Sequence, residues 1–134
     1  MAVHMEAILP ASPRRVYDVL TTSAAFEAAT GARATIGTAA GETFRLFDGN
    51  VDGRHVELVP DERIVQAWRG PLLPPGVYTL VRIDLTAEGN GTKMTVVQRA
   101  VPDGPSPMFP SWHEHFTTGW TKFYFEPLQR YLSS

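Results

Sequence analysis

The sequence has 134 residues, which suits one domain built around one hydrophobic core. A hydrophobic content of 43% with 19% charged residues is typical of a folded soluble protein, and the net charge of −2 gives no reason to expect nucleic acid or an anionic membrane as a partner. The absence of cysteine excludes disulfides, thiol catalysis and thiolate metal sites. No segment has the length of a membrane span or the pattern of a signal peptide, so a cytoplasmic location is expected.

The first thirty residues predict one strand followed by two short helices. A strand is expected from residue 3 to residue 9. Ser12 followed by Pro13 is typical of a helix start, because serine caps the free amides and proline suits the first helical position. A second short helix is expected over residues 22–30 and should stop at Gly31.

Residues 34–101 read as strands joined by tight turns. The glycine and asparagine residues of Asp48-Gly49-Asn50 and Glu88-Gly89-Asn90-Gly91 favour hairpin turns. After the strands, four prolines between residues 102 and 110 predict a loop. The predicted strands cover residues 34–36, 42–47, 51–59, 63–69, 77–85 and 92–101.

The segment 111–132 predicts a long helix that is apolar around most of its circumference. Only a narrow polar arc remains, so another part of the chain should wrap around this helix. Pro127 lacks a backbone donor and should kink it. Its apolar side contains Phe116, Trp120, Phe123, Tyr124, Pro127 and Tyr131, widened by Phe125, Leu128 and Leu132.

This element order predicts an α+β fold. A curved antiparallel sheet of about six to seven strands would wrap around the long C-terminal helix, with the two short helices after the first strand. The space between the sheet and the long helix would be either packed solid or open as a pocket.

Several motifs spread along this order make the chain resemble one family. The chain is similar to the activators of the heat-shock-protein-90 ATPase (AHSA-type) within the START-like, Bet v 1-like (SRPBCC) superfamily. The motifs are Ala11-Ser12-Pro13 with Val16-Tyr17, Phe47-Asp48-Gly49-Asn50-Val51 with Gly53, Leu58-Val59-Pro60, Ile64-Val65 with Trp68-Arg69, Val101-Pro102, Gly119-Trp120, Tyr124 and Pro127-Leu128.

The resemblance runs from about residue 3 to residue 132 and implies a helix-grip fold that forms a single domain over residues 1–134. It also implies a chaperone of the heat-shock-protein-90 class as a partner. Eukaryotic members carry an additional N-terminal domain that this sequence does not contain, so the resemblance implies the fold more firmly than the co-chaperone role.

No pattern predicts catalysis, a metal or a cofactor. The histidines of His113-Glu114-His115 are two residues apart and point to different sides of a helix, which favours ordinary helix-start residues over a metal site. His55 lies in mid-strand with Glu57 two residues later, and an exposed polar face explains both. Some members of the superfamily catalyse cyclisation or hydrolysis, so an enzyme stays open as the least favoured alternative.

A binding pocket between sheet and helix is the favoured functional prediction. Gln98 is the polar exception on an apolar strand face, and it would bond either water at the mouth or a ligand. The aromatic residues of the proline-rich loop would either form a lid or pack as a satellite cluster. The predicted lining consists of Phe44, Leu46, Trp68, Val81, Ile83, Met94, Val96, Gln98, Phe109, Trp112, His113, Phe116, Trp120 and Phe123.

Two functions are expected, the first from the pattern of residues and the second from the resemblance. The first is binding of a hydrophobic or amphipathic small molecule in the sheet–helix cavity. The second is a protein-interaction module for the chaperone, with Leu72 and Leu73 of the proline-rich segment 70–76 and the outer edge at Phe125 and Leu132 as contact surfaces. The same edge could instead form a homodimer, so monomer and homodimer both stay open.

Overall fold

The computed structural model describes residues 2–133 and confirms the α+β fold. All strand pairs are antiparallel, and the curved sheet has the order β1-β7-β6-β5-β4-β3-β2. The strands are β1 Val3–Leu9, β2 Thr35–Ile36, β3 Thr43–Leu46, β4 Val51–Val59, β5 Arg63–Arg69, β6 Thr79–Glu88 and β7 Gly91–Arg99. The helices are α1 Pro13–Thr21, α2 Ser23–Thr30, α3 Trp112–Gly119 and α4 Glu126–Leu132, with a π-helical segment at Trp120–Phe125 between the last two.

The two short helices begin and end where their sequence signals predict. The Ser12 hydroxyl accepts a hydrogen bond from the backbone N–H of Arg15 at 3.2 Å, and Pro13 occupies the first turn of α1. Gly31 closes α2 with a φ of 76°, a left-handed conformation that costs glycine little. Local sequence signals therefore define the start of α1 and the end of α2, the two helices that connect β1 to β2.

Side chains alternate between the two faces of the sheet, but one bulge changes the alternation in β4. The register of β4 against β5 shifts between His55 and Glu57, which leaves Val56 as the extra residue. His55 consequently faces the interior at 1% exposure, whereas Glu57 is exposed. The prediction that His55 lies on an exposed polar face is wrong, because the bulge places two residues of equal parity on opposite faces.

The C-terminal rod is helical from residue 112 to residue 132, as predicted, but its middle is a π-helix. The backbone N–H of Glu126 bonds the carbonyl of Thr121, five residues earlier. This wider turn lies immediately before Pro127, whose ring would meet the carbonyl four residues earlier in an α-helix. The backbone thus accommodates the proline by widening upstream of it. None of the described helices combines the length and apolar character needed to cross a membrane.

The π segment changes which side chains face the sheet. A wider turn alters the angle between successive side chains, so the regular 3.6-residue period fails across it. Phe123, predicted to point inward, is 57% exposed. Phe125 and Leu132, predicted to form an outer contact edge, are 9% and 3% exposed and belong to the core. Both placements were wrong for this one reason.

The packing of β4 on β5 generates a test with two glycines. A methyl group at Gly53 would overlap the backbone carbonyl of Ala67, whereas one at Gly119 would meet no atom. Gly53→Ala should therefore lower the free energy of unfolding by at least about 2 kcal/mol. Gly119→Ala should raise it by about 0.5–1 kcal/mol, because alanine favours the helical backbone already present there. Urea unfolding of both variants measures this, and equal effects would contradict the strand packing described.

Candidate functional site

The interior between the sheet and the C-terminal rod brings together most of the predicted pocket residues. Phe109 and Phe116 are partly buried at the end of this interior that lies near α3. The residues under 9% exposed are Phe44, Leu46, Trp68, Val81, Ile83, Met94, Val96, Gln98, Trp112 and Trp120. His113 is exposed, because its neighbour Trp112 takes the inward direction, and Phe123 is exposed through the π turn. Neither side chain lines the interior.

Aromatic side chains fill the space where a ligand was predicted. The rings of Trp68 and Trp120 stack with centroids 5.1 Å apart, and Tyr124 packs 4.4 Å from Trp120. The two concavities that stand out on the described surface do not lie in this space. A small molecule would have to displace well-packed aromatic rings, which costs transfer energy and packing together. Ligand binding in this interior stays a prediction.

Gln98 satisfies buried groups of the protein itself. The indole N–H of Trp120 can only donate, and it donates to Gln98 Oε1 at 2.9 Å. The amide orientation is thereby fixed, and Gln98 Nε2 donates to the hydroxyl of Thr79 at 2.9 Å. Gln98 and Thr79 are both at most 1% exposed. Neither a mouth water nor a ligand is needed to explain the polar residue on this strand face.

A second glutamine repeats this arrangement beside the first. Trp68 Nε1 donates to Gln66 Oε1 at 2.8 Å, and Gln66 Nε2 lies 3.4 Å from Nδ1 of His55. His55 Nε2 lies 2.9 Å from the carbonyl oxygen of Gly37, which can only accept. The proton of the neutral imidazole therefore sits on Nε2, and Nδ1 accepts from the amide of Gln66.

The two halves meet at the stacked tryptophans and form one buried chain of polar groups. We call it the amide–indole chain; its members are His55, Gln66, Trp68, Trp120, Gln98 and Thr79. Among the described residues, no buried side-chain nitrogen or oxygen is left without a partner. A fully paired chain of this kind holds its members in place and offers no free base or nucleophile. Its chemistry is structural: it fixes the rod against the sheet.

Sequence reasoning missed three members of this chain. Gln66 shares the parity of Ile64 and Trp68 in β5, and this parity was the signal that it faces the core. Thr79 likewise precedes Val81 and Ile83 on the inward face of β6. The inward position of His55 had no signal in the sequence, because it depends on the bulge.

The proline-rich loop before α3 is fixed by a serine and a histidine. The Ser106 hydroxyl accepts from the backbone N–H groups of Met108 and Phe109, so its own proton is free to donate to His115 Nδ1 at 3.0 Å. The rings of Phe109 and Trp112 pack against the imidazole of His115. The loop is therefore anchored to α3, and Met108 at its tip is 68% exposed. Within residues 2–133, no three His, Asp or Glu side chains are grouped to hold a metal ion.

The outer face of the sheet carries a row of arginines around two concavities. We call Arg33, Arg45, Arg54 and Arg69 the arginine stripe; all four are exposed. A concavity of about 340 Å³ includes Arg33 and Arg45 in its lining. A second of about 260 Å³ includes Arg45, Arg54 and Arg69 with Tyr78. Arg45 belongs to both, so the two hollows are neighbours along the stripe.

Acidic side chains neutralise only part of this stripe. Asp52 pairs across strands with both Arg45 and Arg69, but its ion pair is with Arg69, at 3.0 Å. The side-chain hydrogen bond of Arg54 goes to the backbone carbonyl of Gly41, which carries no net charge. In the described part of the chain, Arg33 and Arg45 make no salt bridge. The stripe thus presents excess positive charge, although the chain has a net charge of −2.

The amide–indole chain predicts a large loss of stability when Gln98 is replaced by methionine. The indole N–H of Trp120 and the hydroxyl of Thr79 would be left buried and unpaired, at about 1–3 kcal/mol for each group. Gln98→Met should lower the free energy of unfolding by a similar total in urea titrations. The exposed Gln129→Met serves as the control and should change it by less than about 0.5 kcal/mol.

A double-mutant cycle with Trp120→Phe separates pairing from packing. Since phenylalanine has no N–H, Gln98→Met should cost less in that background, with a coupling of about 0.5–3 kcal/mol. Additive effects would contradict the bond between Gln98 and Trp120.

The buried position of His55 predicts lower stability in mild acid. Burial lowers the pKa of His55, and this effect exceeds the opposing effects of the Gly37 bond and the nearby Glu42. The unfolded chain therefore binds the proton more readily than the folded chain does. The free energy of unfolding should consequently keep its highest value above about pH 6.5, where His55 is neutral in both states, and fall as the pH drops below that value. Protonation would also set two donors, His55 Nδ1 and Gln66 Nε2, against each other.

Urea unfolding between pH 7.5 and pH 5.5 measures this dependence. Burial also lowers the pKa of His115, which contributes with the same sign. His55→Gln should therefore reduce the slope without abolishing it. An unchanged slope in His55→Gln would contradict the assignment.

Comparison with known proteins connects this fold to one family. Residues 10–133 match the family described as "Activator of Hsp90 ATPase homolog 1-like protein". The chain is 31% identical over 119 residues to the human activator of 90 kDa heat shock protein ATPase homolog 1, covering 89% of this chain and 33% of that protein. A Dictyostelium discoideum activator is 32% identical over 92 residues, covering 68% of this chain and 24% of its own length. The chain therefore spans a third or less of the length of these curated relatives.

Solved structures agree with the family match at the level of the fold. A crystal structure described as an HSP90 activator from Plasmodium falciparum superimposes with a TM-score of 0.88 at 19% identity, covering 99% of this chain and 96% of that one. The solution structure of an Aha1 dimer from Colwellia psychrerythraea gives a TM-score of 0.80 at 19% identity, with 98% and 96% coverage. On the match over residues 10–133, the chain belongs to the family of Activator of Hsp90 ATPase homolog 1-like proteins.

Proposed function

We propose that this chain is a protein-interaction module that binds a chaperone of the heat-shock-protein-90 class and changes the rate of its ATPase. The observation that carries the proposal is the family match, which spans almost the whole described chain. The identity of 31% to the human activator adds to it. Because the match covers only a third of that relative, the activity of the whole relative is extended to this chain as a proposal.

The packing of the interior supports a surface function over a cavity function. The stacked tryptophans and the hydrogen-bonded amide–indole chain support a packed sheet–helix interior. A partner would then be recognised on the outside of the molecule, by side chains that project from a backbone held in position by the core. The chaperone would be met in the cytoplasm, the location expected from the sequence.

Exposed apolar side chains supply contact area for such a partner. Leu72 is 42% exposed in the loop between β5 and β6, whereas Leu73 packs partly against the core. Tyr78 and Leu80 lie on the outer sheet face at 47% and 40% exposure. These residues replace Phe125 and Leu132, which are buried, as the apolar contact surface.

The proposal predicts that the purified chain stimulates the ATPase of the chaperone from the same organism. The rate of ATP hydrolysis should rise with chain concentration and reach a plateau, because binding is saturable. An inhibitor of the chaperone's nucleotide site should abolish all of the added hydrolysis, which excludes a contaminating ATPase. Isothermal titration calorimetry of the same two proteins reports binding without relying on hydrolysis.

The outcomes of this experiment separate the alternatives. Heat release without a rate change would support a binding module but contradict the ATPase role. Neither heat release nor a rate change, at chain concentrations well above those of the chaperone, would contradict the proposal. Sedimentation velocity of the chain alone tests the homodimer alternative, which the description of the Colwellia psychrerythraea protein as a dimer brings into view.

A further inference from the structure

The arginine stripe is the surface feature that the core leaves unexplained. Its four guanidinium groups contribute nothing to the packed interior, and one of them, Arg69, has a carboxylate partner among the described residues. Unpaired arginines gathered on one face of an otherwise acidic chain create a local positive potential. We propose that the arginine stripe binds an acidic, extended segment of a partner protein.

The geometry of the sheet matches the stripe to an extended segment. Arg45, Arg54 and Arg69 lie on three neighbouring strands, β3, β4 and β5, and Arg33 precedes β2 at the sheet edge. Since neighbouring strands are about 4.8 Å apart, the stripe spans roughly 15 Å across the strands. An extended chain covers this distance with about five residues. The two neighbouring concavities give its side chains room to lie between the arginines.

Guanidinium chemistry favours carboxylates as the contacting groups. Each exposed guanidinium offers a planar fork of N–H donors that fits a carboxylate through two parallel bonds. The bond between Arg69 Nε and Asp52 Oδ1 already places one carboxylate within the stripe. Carboxylates of a partner would bond to Arg45 and Arg54, neither of which makes a salt bridge within the described part of the chain.

The flank of the stripe indicates an acidic segment that also carries an apolar residue. The guanidinium of Arg69 lies 5.9 Å from the ring centre of Tyr78. Leu80 in β6 pairs with Ala67 in β5, and Ala67 pairs with Arg54 in β4, so Leu80 and Arg54 lie in one row across the same face of the sheet. An aromatic or aliphatic side chain of the partner would contact Tyr78 and Leu80 while neighbouring carboxylates contact the arginines.

A protein is favoured over a nucleic acid as the occupant. Asp48 and Asp52 lie within the two concavities and would repel a phosphate backbone. Phosphate-binding sites commonly include the N-terminus of an α-helix, but none of the residues that line the two concavities belongs to an α-helix. The two aspartates would also repel carboxylates, but a protein segment can place neutral residues beside them and acidic residues beside Arg45 and Arg54, whereas the charge of a nucleic acid repeats along its whole length.

This inference rests on the proposed function in one respect only, which is that the chaperone would be the protein that carries the acidic segment. Binding of an acidic peptide is a property of the stripe itself and does not require the chaperone. The two ideas can therefore fail separately, and the experiment below has one arm for each.

The first arm measures binding of a fluorescein-labelled peptide by fluorescence anisotropy. The probe has roughly ten residues, rich in glutamate with one central tryptophan, so that it exceeds the span of the stripe. Arg45→Glu with Arg54→Glu should weaken binding by about tenfold or more. The matched control, Arg14→Glu with Lys122→Glu, makes the same charge change at exposed helix positions and should weaken binding by less than about threefold.

A second stripe variant protects the test against a folding defect. Arg54→Glu also removes the hydrogen bond to Gly41, so Arg33→Glu with Arg45→Glu is measured alongside it. Thermal unfolding of all variants establishes that each is folded. Equal weakening by the stripe and control variants would show attraction by general charge only and would overturn the proposal. Absence of peptide binding by the unmodified chain, or tighter binding of a single-stranded DNA of similar length, would overturn it as well.

The second arm repeats the chaperone ATPase assay with the same variants. Loss of stimulation in both stripe variants, with stimulation kept in the control, would place the chaperone on the stripe. Stimulation that survives in both stripe variants would leave the proposed function standing but overturn the stripe as its contact surface. Peptide binding without any ATPase stimulation by the unmodified chain would support the stripe and contradict the proposed function.

Discussion

The stack of Trp68 on Trp120 is the contact on which the rest of the structure depends, because it joins the sheet to the C-terminal rod. Each indole carries an N–H that can only donate, and burial makes an unpaired donor costly. Two glutamine amides meet this requirement, and their own free N–H groups then require Thr79 and His55. One aromatic contact therefore dictates a chain of polar partners through an apolar core. Such a chain accepts only one alignment of rod and sheet, which gives the fold its specificity.

A rigid and filled interior changes what the helix-grip architecture can be used for here. Aromatic rings pack in the region where a ligand was predicted, and every buried side-chain nitrogen and oxygen of the amide–indole chain already has a hydrogen-bond partner. The same packing benefits a surface that must recognise another protein, because the backbone of a stiff sheet loses little conformational entropy on binding. The outer face of β3, β4 and β5 has this property, since its strands are held from beneath by Phe44, His55 and Trp68.

The sequence predicted the features that depend on local chemistry. Its predictions failed where the backbone departs from the regular side-chain period of a helix or a strand. Ser12-Pro13 and Gly31 located the short helices, and alternation placed Met94, Val96 and Gln98 on one face. The errors have two sources. The π segment breaks the 3.6-residue period, which misplaced Phe123, Phe125 and Leu132. The bulge in β4 breaks the two-residue period, which misplaced His55. The bulge arises from the pairing of β4 with β5, which a local pattern does not contain. The π segment arises where the backbone widens to accommodate Pro127, a response that a regular 3.6-residue period does not describe.

The arginine stripe was invisible in the sequence for a related reason. Its members lie on four separate segments, and only the strand register places them side by side. The net charge of −2, which gave no reason to expect nucleic acid or an anionic membrane, averages over a surface that the sheet divides into distinct faces. The alternation that turns His55 and Trp68 inward also turns their neighbours Arg54 and Arg69 outward. The amide–indole chain and the arginine stripe therefore lie on opposite faces of the same pair of strands, β4 and β5. The strand register that aligns His55 with Gln66 also sets the distance between Arg54 and Arg69. Recognition on the outer face thus depends on hydrogen bonds that no partner ever touches.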